Sequence, residues 1–241
     1  MQRIEGLMRR AIEDYDMIQE GDKIAVALSG GKDSITLLYS LKNLSKYYPK
    51  KFEVIAMTIN PGFEGFDEEI LNQICKKIDV ELVIIKTNIK QIVFDERKEK
   101  NPCSLCANLR RGTLNTEAKK HGCNKIALGH NEDDVLETFL MNLIYAGRIG
   151  TFSPISYMDR SEMTLIRPLI YVPEKLTKSF IKKNEIKIMP KVCKMDGTSK
   201  REYALKLLKQ LEINNKQTRA NMIGAIKRKE LDGWKETENW E

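Results

Sequence analysis

The chain has 241 residues, with 41 Lys+Arg against 34 Asp+Glu and a net charge of +7. That length allows one domain, or one with a small appendage, with enough chain to bury a core on both faces of a sheet. The absence of a membrane-length apolar run and of a signal-peptide core excludes a membrane partner and predicts a cytoplasmic protein, while the basic balance points toward nucleic acid.

Ile4, Leu7, Met8, Ala11, Ile12, Tyr15 and Ile18 recur at helical spacing, so residues 1–21 are expected to form an amphipathic helix ending near Gly21. Strand one is predicted over 23–28 and a helix after Asp33, carrying Ile35, Leu37, Leu38 and Leu41. A second strand is predicted at 52–59, stopped by Asn60-Pro61-Gly62, then a helix at 66–78 and a third strand at 81–86. A fourth strand is expected at 125–128, and Pro173 suits the first turn of a helix to about residue 183. Strands alternating with helices at this interval imply parallel pairing with right-handed crossovers. The expected fold is α/β: a doubly wound, mostly parallel, Rossmann-like sheet with its ligand at the strand C-termini. Residues 22–195 would form this domain and 196–241 a basic helical tail.

Between strand one and its helix stands Leu28-Ser29-Gly30-Gly31-Lys32-Asp33-Ser34. Gly30 and Gly31 remove the Cβ atoms that would keep backbone N–H groups from a phosphate, and the helix aims its positive end at the same place. Ser29 and Ser34 can donate hydroxyl hydrogen bonds, Lys32 brings a mobile charge, and Asp33 can hold Mg²⁺ or steer a phosphate. A Walker A loop would need Gly at Val26 and Ser or Thr at Asp33, and has neither. Leu28 joins this nucleotide-binding set, and the tip of strand two, at Thr58, is where the adenine is expected.

Strand four runs into Gly129-His130-Asn131-Glu132-Asp133-Asp134. Gly129, His130 and Asp133 reach the same sheet edge, and the carboxylates form a magnesium- or substrate-orienting cluster at a helix start, where acids are also favoured for purely helical reasons. Residues 102–112 join Cys103-x-x-Cys106 to Arg110 and Arg111. Five cysteines in an intracellular chain are not a disulfide framework, so the close pair is read as a metal, cluster or redox site. Cys75 falls on an apolar helix face and Cys123 adjoins a strand, which leaves Cys193, in a loop-like stretch, as third ligand. Zinc would want a fourth donor. His121 is the spare imidazole, but a helix of roughly fifteen residues would hold it about 20 Å from Cys106.

The Ser-Gly-Gly-Lys-Asp-Ser loop resembles the PP-loop of ATP pyrophosphatases. Together with Cys-Ser-Leu-Cys-x-x-Leu-Arg-Arg-Gly and Gly-His-x-x-Asp-Asp it is similar to the tRNA 2-thiocytidine synthetase branch of that superfamily, over residues 7–34, 103–112, 127–134 and 166–169. The resemblance implies an ATP-dependent tRNA sulfurtransferase that adenylates the C2 oxygen of a pyrimidine, cytidine of the anticodon loop first of all. Sulfur would be presented on a [4Fe-4S] cluster held by Cys103, Cys106 and Cys193. ATP and Mg²⁺ would bind at residues 28–34, Thr58, Gly129, His130 and Asp133; Lys32, Asp33, Asp133 and Arg110 would carry the catalysis. The implied partners are tRNA and a sulfur donor, either a cysteine desulfurase or inorganic sulfide. Relatives commonly form homodimers, to which the first helix is a candidate contributor. The family usually carries a second Cys-x-x-Cys after a proline, where this chain reads Pro190-Lys191-Val192-Cys193-Lys194. The alternative is a PP-loop enzyme with another substrate and a structural zinc at the cysteines. Lys227, Arg228 and Lys229 in the tail are expected to bind nucleic-acid backbone.

Overall fold

The computed structural model describes residues 1–97, 102–190, 193 and 199–237. The tail's expected start at residues 196–198 lies outside them.

Helix α1 (Gln2–Asp14) buries Ile4, Met8, Ala11 and Ile12, the stripe that its periodicity dictates. It stops about two turns before Gly21, because Asp16 takes a left-handed φ of 49° and the chain turns to present Met17 and Ile18 to the core. Strand β1 (Asp22–Ala27) leads through the glycine loop into α2 (Lys32–Leu44), and β2 (Phe52–Asn60) into α3 (Glu68–Ile78). Asp67 sets the start of α3, its side chain accepting from the backbone N–H groups of Glu69 and Ile70. Strand β3 (Leu82–Lys86) is followed by a six-residue π-helical turn at Gln91–Glu96, absent from the sequence expectations, and by α4 (Pro102–Lys120). Strand β4 (Lys125–Ala127) enters α5 (Glu132–Tyr145). Next come a hairpin, β5 (Ile155–Met158) and β6 (Met163–Ile166), also not expected, and then α6 (Glu174–Lys183), α7 (Ser199–Asn214) and α8 (Thr218–Arg228).

The sheet order is β3-β2-β1-β4-β6-β5, parallel except for the edge pair β5·β6. The chain winds outward from β1 through β2 to β3 and then returns to place β4 on the other side of β1. The crevice at the C-termini of β1 and β4 is therefore the topological switch point where ligands of such sheets bind. Alternation along the strands divides the core between the two faces. Ile24, Val26 and Ala56 point to the side that buries α1, α2 and α5, while Ala25, Ile55, Met57 and Ile59 point to the side covered by α4.

The C-terminal region is helical, as expected, and its helices pack on the main domain. Ile223, Ile226 and Trp234 pack with Tyr15 and Tyr171 of the main domain, and the Trp234 indole N–H donates to the Phe152 carbonyl at 3.0 Å. No helix among the described residues is long and apolar enough to cross a membrane.

Candidate active site

Ser34, the second residue after the α2 N-terminus begins, ties the glycine loop together: its Oγ accepts from the Ser29 N–H at 3.2 Å and donates to the Gly31 carbonyl at 3.0 Å. Gly30 has φ +78° and faces Met189, whose N–H donates to the Gly30 carbonyl at 2.9 Å; a Cβ on Gly30 would come within 2.7 Å of the Met189 Cβ. The glycine thus permits a close approach by the chain that leads on to Cys193. Gly129 does the same between the two loops, since a Cβ there would meet the Ser34 backbone nitrogen at 3.0 Å.

The charged groups of the loop are gathered by the first turn of α6. Lys32 Nζ lies 2.7 Å from Asp33 Oδ2 and 2.8 Å from Glu174 Oε1. Burial works against the Lys32 ammonium, but the two carboxylates outweigh it and hold its pKa above the usual value. The other Asp33 oxygen accepts from Thr177 Oγ1 at 2.6 Å, and Asp133 accepts from the Glu174 backbone N–H at 2.7 Å. Asp133 also pairs with Arg219 of α8 at 2.7 Å, and Arg201 of α7 sits 3.1 Å from Glu137. Asp134 closes a capping box with Asn131 and so has a local role at the α5 N-terminus. Glu174 and Thr177 were not identified as site residues in the sequence, and Arg201 and Arg219, which belong to the basic tail expected to bind phosphate, instead pair with acids of α5.

Two cavities open along the switch point. The larger, about 910 Å³, is lined by Ser29, Gly31, Lys32 and Asp33, by Asp133, Asp134, Glu137 and Glu174, and by Cys103, Cys106 and Cys193. Burial raises the Cys106 thiol pKa and the Arg110 charge lowers it, with Cys193 and Cys103 adding smaller upward contributions. Among the described residues no three Cys, His, Asp or Glu side chains are already gathered at metal-binding distance. The donor set nevertheless fits a cluster: three thiols line one cavity, two of them a helical turn apart at the start of α4. Cys75 and Cys123 are buried elsewhere in the core.

The smaller cavity, about 320 Å³, has Ala27, Leu28, Met57, Ile59, Leu114 and Leu128 as apolar walls and Arg110, Arg111 and His130 as its ionisable groups. Arg110 lines both cavities. Burial drives the His130 pKa down to about 4, helped by Arg167, Arg201 and Arg111, and its Nδ1 has no hydrogen-bond partner among the described residues. Thr58 lines neither cavity. It lies buried on the opposite face of β2 from Met57 and Ile59, so the strand's period of two puts those neighbours, and not Thr58, at the site.

The expectation for the tail lysines is corrected at Lys227. It is 1% exposed, its Nζ hydrogen-bonded to Tyr171 at 3.0 Å and to Thr237, beside Asp14 at 3.5 Å, and so holds α8 to the core instead of facing a nucleic acid.

A parallel sheet bearing a Ser-Gly-Gly-Lys-Asp-Ser loop at its switch point defines a PP-loop nucleotide-binding enzyme, and the PP-loop domain family matches residues 2–201. The tRNA-cytidine(32) 2-sulfurtransferase of Citrifermentans bemidjiense is 37% identical over 93% of this chain and 89% of its own length. The protein of the same name from Ralstonia pickettii is 40% identical over 90% of this chain and 68% of its own. The chain belongs to the PP-loop family and, within it, to the tRNA-cytidine(32) 2-sulfurtransferase branch. Among solved structures, the U34-tRNA thiolase NcsA from Methanococcus maripaludis, with its [4Fe-4S] cluster, matches with a TM-score of 0.77 and 26% identity over 93% of this chain and 78% of that one. The NH3-dependent NAD synthetase from Campylobacter jejuni shares the fold, with a TM-score of 0.52 at 16% identity over 100% of this chain and 98% of that one.

Proposed function

We propose that this enzyme thiolates tRNA at C2 of a pyrimidine, cytidine of the anticodon loop, in two steps that share the larger cavity. The observation that carries the reading is that one cavity is lined both by the phosphate loop and by Cys103, Cys106 and Cys193. The relatives' names support the substrate.

In the first step ATP's base and ribose take the smaller cavity, against Leu28, Met57, Ile59 and Leu128. Lys32 and the loop N–H groups bind the β- and γ-phosphates. The pyrimidine C2 oxygen attacks the α-phosphorus, forming a C–O–P link, and pyrophosphate leaves with the bonding electrons. Asp33 and Asp133 would hold Mg²⁺, which when bound neutralises charge on the departing pyrophosphate. Arg110, which lines both cavities, would stabilise charge on the α-phosphate. In the second step a sulfur nucleophile adds at C2, the C–O bond breaks, and AMP takes the electron pair. Cys103, Cys106 and Cys193 would hold the [4Fe-4S] cluster, which when bound offers a protein-free iron to carry the sulfur. Glu137, whose carboxyl pKa burial raises to about 7, lines the same cavity and can take up a proton released from that sulfur. The sulfur comes from a cysteine desulfurase or from inorganic sulfide.

The test is mass spectrometry of nucleosides from unmodified tRNA incubated anaerobically with the protein, ATP, Mg²⁺ and sulfide. ATP-dependent 2-thiocytidine is the expected product; a thiolated uridine would move the reading to another base, and no thionucleoside at all would contradict it.

A further inference from the structure

Helices α5 and α7 form one wall of the larger cavity, through Thr138 and Met141 on the first and Arg201 and Leu205 on the second. Asp134, Thr138, Met141 and Tyr145 follow one another at intervals of four, three and four, so they lie on one face of α5. This stripe runs from the second loop out of the cavity and ends, about 17 Å further along the helix axis, at Tyr145. There Tyr145 meets Tyr203 of α7, their ring centroids 6.5 Å apart at 64°, and Lys200 Nζ lies 5.1 Å above the Tyr145 ring. Both rings stay open to solvent, Tyr145 at 45% and Tyr203 at 52%. Neither they nor Lys200 has a part in the steps above.

We propose that Tyr145, Tyr203 and Lys200 form a stacking platform for unpaired bases of an RNA loop, beside the nucleotide that enters the cavity; the inference rests on the tRNA reading above. A base that leaves its stack to react exposes the faces of its neighbours, and aromatic side chains next to a basic group are what such bases stack on. The two tyrosines brace each other, so little side-chain freedom is lost on binding. The 17 Å from Asp134 corresponds to about five nucleotides at 3.4 Å each, within the reach of one loop. Charge decides against a second copy of the chain as the occupant. A two-fold contact over this patch would bring Lys200 toward its own symmetry mate, whereas a phosphate backbone complements it.

The full-length protein is titrated with a labelled anticodon stem-loop hairpin and with a blunt RNA duplex of equal length, across a range of salt. Tyr145→Ala combined with Tyr203→Ala should weaken hairpin binding by about tenfold or more, leave duplex binding and the salt slope unchanged, and leave the oligomeric state as in the wild type. Tyr145→Phe with Tyr203→Phe should retain hairpin affinity, which separates stacking from any loss of fold. Lys200→Ala should lower the salt slope by about one. Wild-type hairpin affinity in the double alanine variant overturns the platform alone, and so does a dimer that becomes monomeric without loss of RNA binding. A wild-type protein that does not bind the hairpin contradicts the tRNA reading as well.

Discussion

The two cavities at the switch point share Ser29, Ile59, Ala107 and Arg110 in their linings yet differ in charge. The larger is lined by Asp33, Asp133, Asp134, Glu137, Glu174 and Glu202 against Lys32, Arg110 and Arg201, and by the three thiols. The smaller has apolar walls and, among the described residues, no acid; its ionisable groups are Arg110, Arg111 and His130. One half of the site therefore suits cations and proton transfer, the other a neutral base attached to an anionic phosphate. A reaction that must bring a nucleotide, a metal ion and a sulfur nucleophile to one carbon needs both kinds of environment in contact, and Arg110 stands at that contact.

The largest effect that can break this division is at Lys32, which pairs with Asp33 and Glu174 in the acidic cavity. Lys32→Ala should reduce tRNA-dependent pyrophosphate release on the order of 10²–10³-fold, with the circular dichroism spectrum unchanged because the side chain lines a cavity and is not part of the hydrophobic core. Near-normal turnover would remove the loop from the chemistry.

A pH experiment sharpens the contrast from the other side. Since burial holds the folded-state pKa of His130 near 4 against an ordinary value of 6.5, the folded protein binds fewer protons than the unfolded one between those limits. This contribution to stability is complete above pH 6.5 and is lost as the pH falls toward 4, by about 3 kcal/mol. Arg167, Arg201 and Arg111 all push in the same direction. His130→Asn should flatten that acid limb in urea titrations; superimposable profiles for variant and wild type would mean that the smaller cavity is not hostile to an added positive charge.

The smallest expected effect belongs to Arg111, which lines the smaller cavity alone. Arg111→Ala should weaken AMP binding by calorimetry roughly 10- to 100-fold, the range of one charged hydrogen bond, without altering cysteine reactivity. Equal affinity in variant and wild type would place the nucleotide elsewhere.

What the sequence made legible is what is local. Residues 28–34, the Cys103/Cys106 pair and the loop from Gly129 each announce their chemistry within a dozen residues, and the alternation of strands and helices placed two of them at one sheet edge. The β5·β6 hairpin stayed hidden because its strands are four residues long and Tyr157 on β5 is exposed, which blurs the alternating pattern. Thr58 lies one residue from Met57 and Ile59 along β2, and the strand's period of two puts its side chain on the opposite face, outside the linings of both cavities. Glu174, Thr177 and Arg219 were not legible at all, since their partners Lys32, Asp33 and Asp133 lie 41 or more residues away in the chain and no local pattern marks such a pairing. The tail misled for the same reason. Lys227 looks like every other surface lysine until the fold buries it against Tyr171.

The most direct measurement separates the two halves of the reaction in one variant. Anaerobically purified Cys193→Ser is supplied with ATP, Mg²⁺, sulfide and unmodified tRNA, and pyrophosphate and 2-thiocytidine are quantified side by side with the wild type. If the phosphate loop activates the base and the three cysteines deliver the sulfur, the variant still releases tRNA-dependent pyrophosphate but forms no 2-thiocytidine. Undiminished 2-thiocytidine from the variant would contradict the shared-cavity mechanism.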